Sequence, residues 1–230
     1  MPTEIPVRIR CVVTGLPDDT DPLRSLLPDR EWNALGAGAE AQRPRLVARA
    51  LVRRVLGEQL GCPPADVPLA RSDLGKPYVP DSGMAFSLSH TRTAVALAWN
   101  AADTDVGIDL DRRSHPAAGR LARRFFRAEE ADGLSALEKG REDAFMQAWC
   151  LKEATLKCLG LTIAGHLNTL TVIRWQPLRV QAPVRTGLWS PGPHHWLAVA
   201  CSTPFVLEAE TPPRPFSGCL PLSHPVWMSD

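Results

Sequence analysis

The chain has no excess of charge of either sign. Its 26 Lys and Arg stand against 25 Asp and Glu, a net +1 over 230 residues. That balance excludes bulk electrostatic attraction to nucleic acid or to a membrane surface, so any phosphate chemistry must rest on local charge. No apolar run approaches membrane-spanning length. The opening residues, MPTEIPVRIR, lack the apolar core of a secretion signal, which predicts a cytoplasmic chain. The six cysteines, at 11, 62, 150, 158, 201 and 219, contain no C-x-x-C pair. Reduced core residues are therefore expected rather than a zinc site or a disulfide framework. The length suffices for one large domain or two small halves around a sizeable core.

Periodicity gives a mixed α and β reading. Val7 to Val13 alternates apolar and basic residues as a strand does, and a short helix is expected around Asp29 to Leu35. Glu40 to Leu60 reads as a longer helix, with Pro44 limiting how early it starts. Met84 to Ser89 and Thr93 to Trp99 read as two strands. A capped helix follows Ser114-His115-Pro116, then a second amphipathic stretch up to Lys139. Leu167 to Trp175 and His195 to Cys201 read as strands, and the Pro-rich segment from Pro204 onward as loop.

Four stretches in the first half of the chain carry chemistry. In the Glu40–Leu60 helix, Val47, Leu51 and Val55 form an apolar stripe, and Arg45, Arg49 and Arg53 a second one roughly opposite. The arginine row is either a solvated face or a set of forked donors for a phosphate-rich ligand. In Leu74-Gly75-Lys76-Pro77-Tyr78, Gly and Pro fix a tight path around one ammonium, as in an ordinary turn or in a loop that meets a ligand. Ser89-His90-Thr91-Arg92 places a hydroxyl on each side of a histidine, a possible anion clamp. In Gly107-Ile108-Asp109-Leu110-Asp111, the two aspartates share one strand face about 7 Å apart. Carboxylates so close repel unless a cation lies between them, and hard oxygen ligands suit magnesium. The competing view is a strand end neutralised by Arg112 and Arg113.

The stretch from Ala144 to Leu161, AFMQAWCLKEATLKCLGL, is apolar nearly all round and carries only Lys152, Glu153 and Lys157 as charges. Such a helix is normally buried, and a buried charge is costly unless paired or used. Glu153 and Lys157 stand four apart on one face, with Trp149 one turn earlier. They are either an internal ion pair or a carboxylate and an ammonium delivered into a site. Upstream, Glu129 and Glu130 are capping carboxylates of a helix or a reserve base.

The order of GKPYVP, FSLSHT, GIDLD and WCLKEA followed by Lys157 resembles the 4′-phosphopantetheinyl transferases of the surfactin-synthetase-activating (Sfp-like) type. The likeness runs from about Arg43 to Lys157. It implies an α+β fold of two similar α/β halves related by a pseudo-twofold, with the active site in the cleft between them. The expected division is 1–104, binding coenzyme A, and 105–230, binding magnesium and carrying the catalysis. It also implies the reaction: the phosphopantetheine arm of coenzyme A moves to a serine of an apo acyl or peptidyl carrier protein, releasing adenosine 3′,5′-bisphosphate. On this resemblance Asp109, Asp111 and Glu153 would hold magnesium, Glu153 would act as base directly or through water, and Lys157 would stabilise charge on the phosphates. Lys152 would help at the pyrophosphate or pair structurally. Gly75, Lys76 and Pro77 would border the adenine, Ser89 and His90 would contact the 3′-phosphate, and Arg49 and Arg53 are looser phosphate candidates. A monomer is expected, with no nucleic-acid or membrane partner.

Two departures stand out. Asp111 occupies a position where many members have Glu, one methylene longer, and Ser-His-Thr replaces Ser-His-Ser. Two other functions are open to the same residues: a magnesium-dependent phosphohydrolase built on Asp-x-Asp, and a non-catalytic coenzyme A-binding protein. In the first, Arg112-Arg113 follows where Thr or Val is usual and the Lys-Glu helix has no role; against the second, Asp109, Glu153 and Lys157 are all intact.

Overall fold

Two four-stranded sheets, each with an 18-residue helix on its outer face, organise this computed structural model. It describes residues 5–35, 40–163, 165–216, 220–222 and 227–228. In chain order the elements are β1 (Val7–Gly15), α1 (Asp29–Leu35), α2 (Arg43–Leu60), β2 (Ala70–Arg71), β3 (Pro77–Tyr78), β4 (Ala85–His90), β5 (Ala94–Asn100) and β6 (Val106–Arg112). They continue with α3 (Ala118–Phe125), α4 (Ala128–Ser135), α5 (Arg141–Cys158), β7 (Thr171–Trp175), β8 (Leu178–Gln181), β9 (Arg185–Trp189), β10 (His195–Cys201), β11 (Phe205–Ala209) and β12 (Trp227–Met228). The first sheet runs β11-β1-β5-β4 and the second β12-β9-β10-β6. The fold is α+β, as expected.

The alternation along each strand explains the layers. On β1 and β5, Ile9, Cys11, Val13, Ala94, Ala96 and Ala98 face a core shared with Val106, Ile108, Leu110, Leu197 and Val199 of the second sheet. The opposite set, Val12, Val95, Leu97 and Trp99, packs on Val47, Leu51 and Val55 of α2. In the second sheet Trp196, Ala198 and Ala200 face away from the shared core and pack on α5. The sequence is thus read out in four layers, α2, sheet, sheet, α5, because each strand carries two apolar faces.

The strand read over Leu167–Trp175 starts only at Thr171, after a 3-10 turn at Leu167–Thr169, and three other segments differ from the sequence reading. Residues 40–42 form a 3-10 turn and α2 begins at Arg43, with Pro44 in its first turn, where a missing N–H costs nothing. The segment after Pro204 is not all loop: Phe205–Ala209 pairs in parallel with β1, from Val7↔Phe205 to Cys11↔Ala209. Prolines on both sides hid this short run. Strands β8 and β9 also went unread, since only four or five residues lie between turns. The five cysteines among the described residues are free, as expected; Cys219 lies outside them. Among the described residues no helix is long and apolar enough to cross a membrane.

The seam between the sheets is closed by side chains. β4 and β6 are both edge strands, and an edge leaves backbone groups without ladder partners. Ser87 Oγ accepts the Ile108 N–H at 3.0 Å, and two residues on Ser89 Oγ donates to Asp109 Oδ1 at 2.9 Å. Gly107 serves the other face of β6. A Cβ there would run into the Ala154 carbonyl and the Cys158 amide of α5, so only glycine lets that helix lie against the strand. Gly107→Ala is expected to lose about 1–3 kcal/mol through overpacking and to push α5 off β6. Chemical denaturation measures the first effect, and unchanged stability with full function would contradict it.

Candidate active site

α5 is built to be an interior helix. Good helix formers fill Ala144–Leu156, Glu142 and Asp143 sit in its first turn, and Lys157 sits in its last, all favourable to the helix dipole. It ends in a Schellman motif: Gly160 adopts φ +68°, Gly160 N–H reaches the Lys157 carbonyl, and Leu161 N–H reaches that of Leu156. Trp149 lies in an aromatic cluster with Phe125, Phe126 and Phe145, with ring centroids 5.5–6.2 Å away. That cluster sets the rotation of the helix, so Glu153 and Lys157 meet the face of β6 that carries Gly107, Asp109 and Asp111.

The contacts there are direct. Lys157 Nζ donates to Asp109 Oδ1 at 2.6 Å and to Ser89 Oγ at 3.3 Å, and stands 3.7 Å from Glu153 Oε2. Asp109 is 4% exposed and Glu153 9%. Burial, then the charge of Asp109, pushes the Glu153 carboxyl up to about 8, and it shares a hydrogen bond with Asp109. Burial opposes the charge on Lys157, but Asp109 and Glu153 outweigh it and hold the ammonium above its ordinary range. Asp111 is half-buried; burial, with Asp109 two residues away, raises its carboxyl, while the Arg112 N–H donates to its Oδ1. The internal ion pair and the site anticipated for Glu153 and Lys157 are therefore one structure, with Asp109 as the shared partner.

Do these residues fit a divalent ion? The donor set is all oxygen, from three carboxylates whose mutual repulsion keeps protons on buried groups. A hard cation is what such a set lacks. With at most three protein ligands, such an ion keeps positions for water and phosphate oxygens, as magnesium usually does. Among the described residues no three His, Cys, Asp or Glu side chains converge on one point; the Lys157 ammonium lies on Asp109 instead. The chemistry of the donor set fits magnesium, with the Lys157 ammonium beside it on Asp109.

Two cavities flank this group. One, of about 680 Å³, is lined by Arg45, Arg49, Arg71, Gly75, Lys76, Pro77, His90 and Lys157, with Leu35, Leu74, Leu161 and Ile163 among its apolar walls. The Gly75 turn is shaped by φ +86° and by Gly75 N–H and Lys76 N–H donating to the Ser72 carbonyl and hydroxyl. Lys76 Nζ lies 3.6 Å from Asp105 Oδ1 and 3.5 Å from the Cys158 carbonyl, tying the turn to the end of α5. Burial, Arg45 and Lys157 lower the His90 pKa, so the ring is a neutral hydrogen-bonding group at pH 7. The second cavity, about 840 Å³, shares Arg45 and His90 with the first and has Asp111 in its lining.

Most expected site residues thus lie close by: Asp109, Glu153 and Lys157 meet directly, Asp111 stands two residues along β6, and Arg49, Gly75, Lys76, Pro77 and His90 line the adjoining cleft. Three are placed otherwise. Ser89 is buried at the sheet seam against Asp109 and Lys157, not at the cleft wall. Arg53 is 2% exposed and spent on Glu31 and on the carbonyls of Pro64, Ala65 and Val67. One turn on from Arg49, its guanidinium is turned inward onto these loop carbonyls. Lys152 is fully buried and bound to both Glu130 oxygens at 2.8 and 3.0 Å and to the Leu167 carbonyl, with its ammonium 3.9 Å from the Phe126 ring centroid. Glu130 also accepts the N–H groups of Arg127 and Val172. It is a cap and a buried partner, and holds no free lone pair for the role of reserve base. Arg71 was missed. No pattern marks it, and only the closing of β2 on β3 turns it toward Arg49, whose pKa burial and then Arg71 lower.

Breaking the Lys152–Glu130 pair leaves a buried charge. Lys152→Met is expected to cost about 3–5 kcal/mol of stability while leaving the affinity for a cleft ligand unchanged. A stable variant with weakened ligand binding would return Lys152 to the cleft.

Comparison with known proteins agrees with this geometry. Residues 105–203 match the family model of the 4′-phosphopantetheinyl transferase superfamily. The chain is 34% identical over 131 residues to the 4′-phosphopantetheinyl transferase HetI of a Nostoc species, covering 54% of this chain and 55% of that protein. It is 31% identical over 129 residues to the 4′-phosphopantetheinyl transferase ffp of Bacillus subtilis, covering 55% and 56%. To the 4′-phosphopantetheinyl transferase gsp of Aneurinibacillus migulanus it is 29% identical over 128 residues, covering 55% and 52%. The matched segment spans little more than half the length of each of these relatives. The stretch 105–203, similar to the 4′-phosphopantetheinyl transferase superfamily, is the one that carries Asp109, Asp111, Glu153 and Lys157.

Proposed function

We propose that the protein transfers the 4′-phosphopantetheine arm of coenzyme A to a serine hydroxyl of an apo acyl or peptidyl carrier protein. The observation that carries this is the meeting of Lys157 and Glu153 with Asp109 beside a cleft lined by Arg45, Arg49, Arg71, Lys76 and His90. A row of cations at one end and an ammonium among carboxylates at the other suits a ligand with a phosphomonoester and a pyrophosphate. A phosphohydrolase with Asp109 as nucleophile is disfavoured, because the Lys157 ammonium sits directly on that carboxylate. The two sheet-and-helix layers would be the two related halves, divided near residue 104 except that Phe205–Ala209 crosses back to the first sheet.

Coenzyme A would lie with its 3′-phosphate and adenosine among Arg49, Arg71, His90 and the Gly75–Pro77 turn, and its pyrophosphate toward Lys157. Asp109, Asp111 and Glu153 would hold a magnesium ion, which when bound draws electron density from the phosphorus under attack and from the departing phosphate. A serine hydroxyl is a weak nucleophile at its own pKa. Glu153, raised toward neutrality by burial, is matched to take its proton as the serine oxygen bonds to phosphorus. The bond to the nucleotide phosphate breaks, and the charge left on adenosine 3′,5′-bisphosphate is met by Lys157 and the cleft cations.

Release of adenosine 3′,5′-bisphosphate, followed by chromatography, separates transfer from hydrolysis. Release is expected only when coenzyme A, magnesium and an apo carrier are all present. Release without any carrier would favour a hydrolase, and no release with any of several carriers would remove the proposed activity.

A further inference from the structure

The face of β6 that meets α5 continues past Asp111. Arg113 N–H donates to the His194 carbonyl at 3.0 Å, which carries the pairing with β10 one residue beyond the strand. Alternation therefore puts Arg113 on the side of Gly107, Asp109 and Asp111, where it meets the first turn of α5. Arg113 Nε donates to Asp143 Oδ1 at 3.1 Å, and its guanidinium carbon lies 4.0 Å from the centre of the Trp196 ring. Trp196 Nε1 donates to the same Asp143 oxygen at 3.0 Å, and Gln147 Nε2 to the other at 2.6 Å. Asp143 thus joins the end of β6, the start of β10 and its own helix.

α5 is held against β6 at two places. At one end Gly107 lets the strand touch Ala154 and Cys158; at the other, Arg113 and Trp196 grip Asp143. Asp109, Asp111 and Glu153 lie between. Trp196 stands directly opposite Asp111 in the β6–β10 pairing, whereas Asp109 and Gly107 face Ala198 and Ala200. Neighbours so placed have Cβ atoms about 5 Å apart on one face, so the bulky side chain beside Asp111 is the one tied to α5. Asp109 is held by the side chains of Ser89 and Lys157. Asp111 instead accepts the N–H of Arg112, a group of its own strand, and its carboxylate goes where the strand end and Trp196 put it. We propose that Arg113, with Asp143 and Trp196, is a positioning residue for the metal-binding carboxylates, fixing the distance between Asp111 and the Glu153 face of α5. This rests on the magnesium role proposed above. Aspartate has a short reach, so a small drift between strand end and helix takes Asp111 away from an ion shared with Asp109 and Glu153. A planar guanidinium stacks on the indole and donates to the carboxylate at once, which an ammonium does less well.

Manganese is the probe, titrated into the folded protein and followed by loss of the free-ion electron paramagnetic resonance signal. Groups that orient metal ligands typically govern affinity by about 10–100-fold, so Arg113→Ala is expected to weaken manganese binding about tenfold or more. In transfer assays the magnesium concentration for half-maximal rate should rise with it, leaving kcat at saturating magnesium and the KM for coenzyme A close to the parent's. Asp143→Ala should match it, and the double variant should be no worse than either single one, because the pair acts as a unit. Arg113→Lys should fall between parent and Arg113→Ala. Asp111→Glu placed in the Arg113→Ala protein should restore affinity, since one added methylene spans the drift. A purely structural tie would lower the melting temperature, leave manganese affinity unchanged and gain nothing from Asp111→Glu; unchanged affinity or absent rescue overturns the proposal. If Arg113→Ala fails to fold, Arg113→Lys carries the comparison, and an affinity equal to the parent's overturns it. A parent that binds no manganese, with or without coenzyme A, would instead remove the metal role of Asp109, Asp111 and Glu153 itself.

Discussion

Asp109→Ala is expected to abolish magnesium-dependent transfer and to leave the chain folded. Asp109 is where every strand of the site meets: it accepts from Ser89 across the sheet seam, accepts from Lys157, and shares a hydrogen bond with Glu153. Removing it takes away a metal ligand and the group that fixes the Lys157 ammonium. The expected loss is about 10³-fold or more, about 4 kcal/mol of transition-state stabilisation. Stability should suffer less than in Lys152→Met, because the Lys157 side chain is 25% exposed and can turn to the cleft, whereas Lys152 has no exposure. Asp109→Asn separates the parts: it retains an acceptor for Ser89 but not the charge. Transfer assays with thermal melts decide it. Near-normal rates in either variant would remove the metal and positioning roles assigned to Asp109.

Glu153→Gln should be nearly as damaging, with a distinct pH signature. The loss of a positioned base typically costs about 10²–10⁴-fold. In the metal-free protein, burial and Asp109 hold the Glu153 proton up to about 8, against an ordinary value of 4.5. Between those values the unfolded chain has lost a proton that the folded chain keeps. Stability therefore falls as pH rises through this window, by at most about 1.4 kcal/mol per pH unit for one proton. Magnesium should oppose that fall, and Glu153→Gln should flatten it, since the amide does not titrate. Denaturation from about pH 5 to about pH 9, with magnesium and with chelator, reads both effects. A parent whose stability rises across the window, or a variant with the same slope, contradicts the assignment.

The site was more legible than its supports. The alternation in Gly107–Asp111 and the spacing of Glu153 and Lys157 follow directly from strand and helix periods, and these groups do meet. What periodicity does not carry is depth. Arg45, Arg49 and Arg53 read as one row, yet Arg53 is drawn inward by Glu31 and by three carbonyls of the segment that follows α2, Pro64, Ala65 and Val67. Lys152 and Lys157 look equivalent in the same helix until α4 brings Glu130 to one and β6 brings Asp109 to the other. Ser89 sat in an apparent anion clamp, but two edge strands without a shared ladder needed its hydroxyl at their seam. In the fold, the long elements were readable from their periods. The parallel pairing of Phe205–Ala209 with β1 was not, because a partner nearly two hundred residues away leaves no local mark.

The central claim is that this cluster moves phosphopantetheine to a protein hydroxyl. Its most direct test is the intact mass of an apo carrier domain after incubation with the protein, coenzyme A and magnesium. The account predicts one added phosphopantetheine group, lost when the carrier serine is replaced by alanine and when Asp109→Ala replaces the parent. No added mass on any of several carriers, with the protein folded and magnesium present, would contradict it.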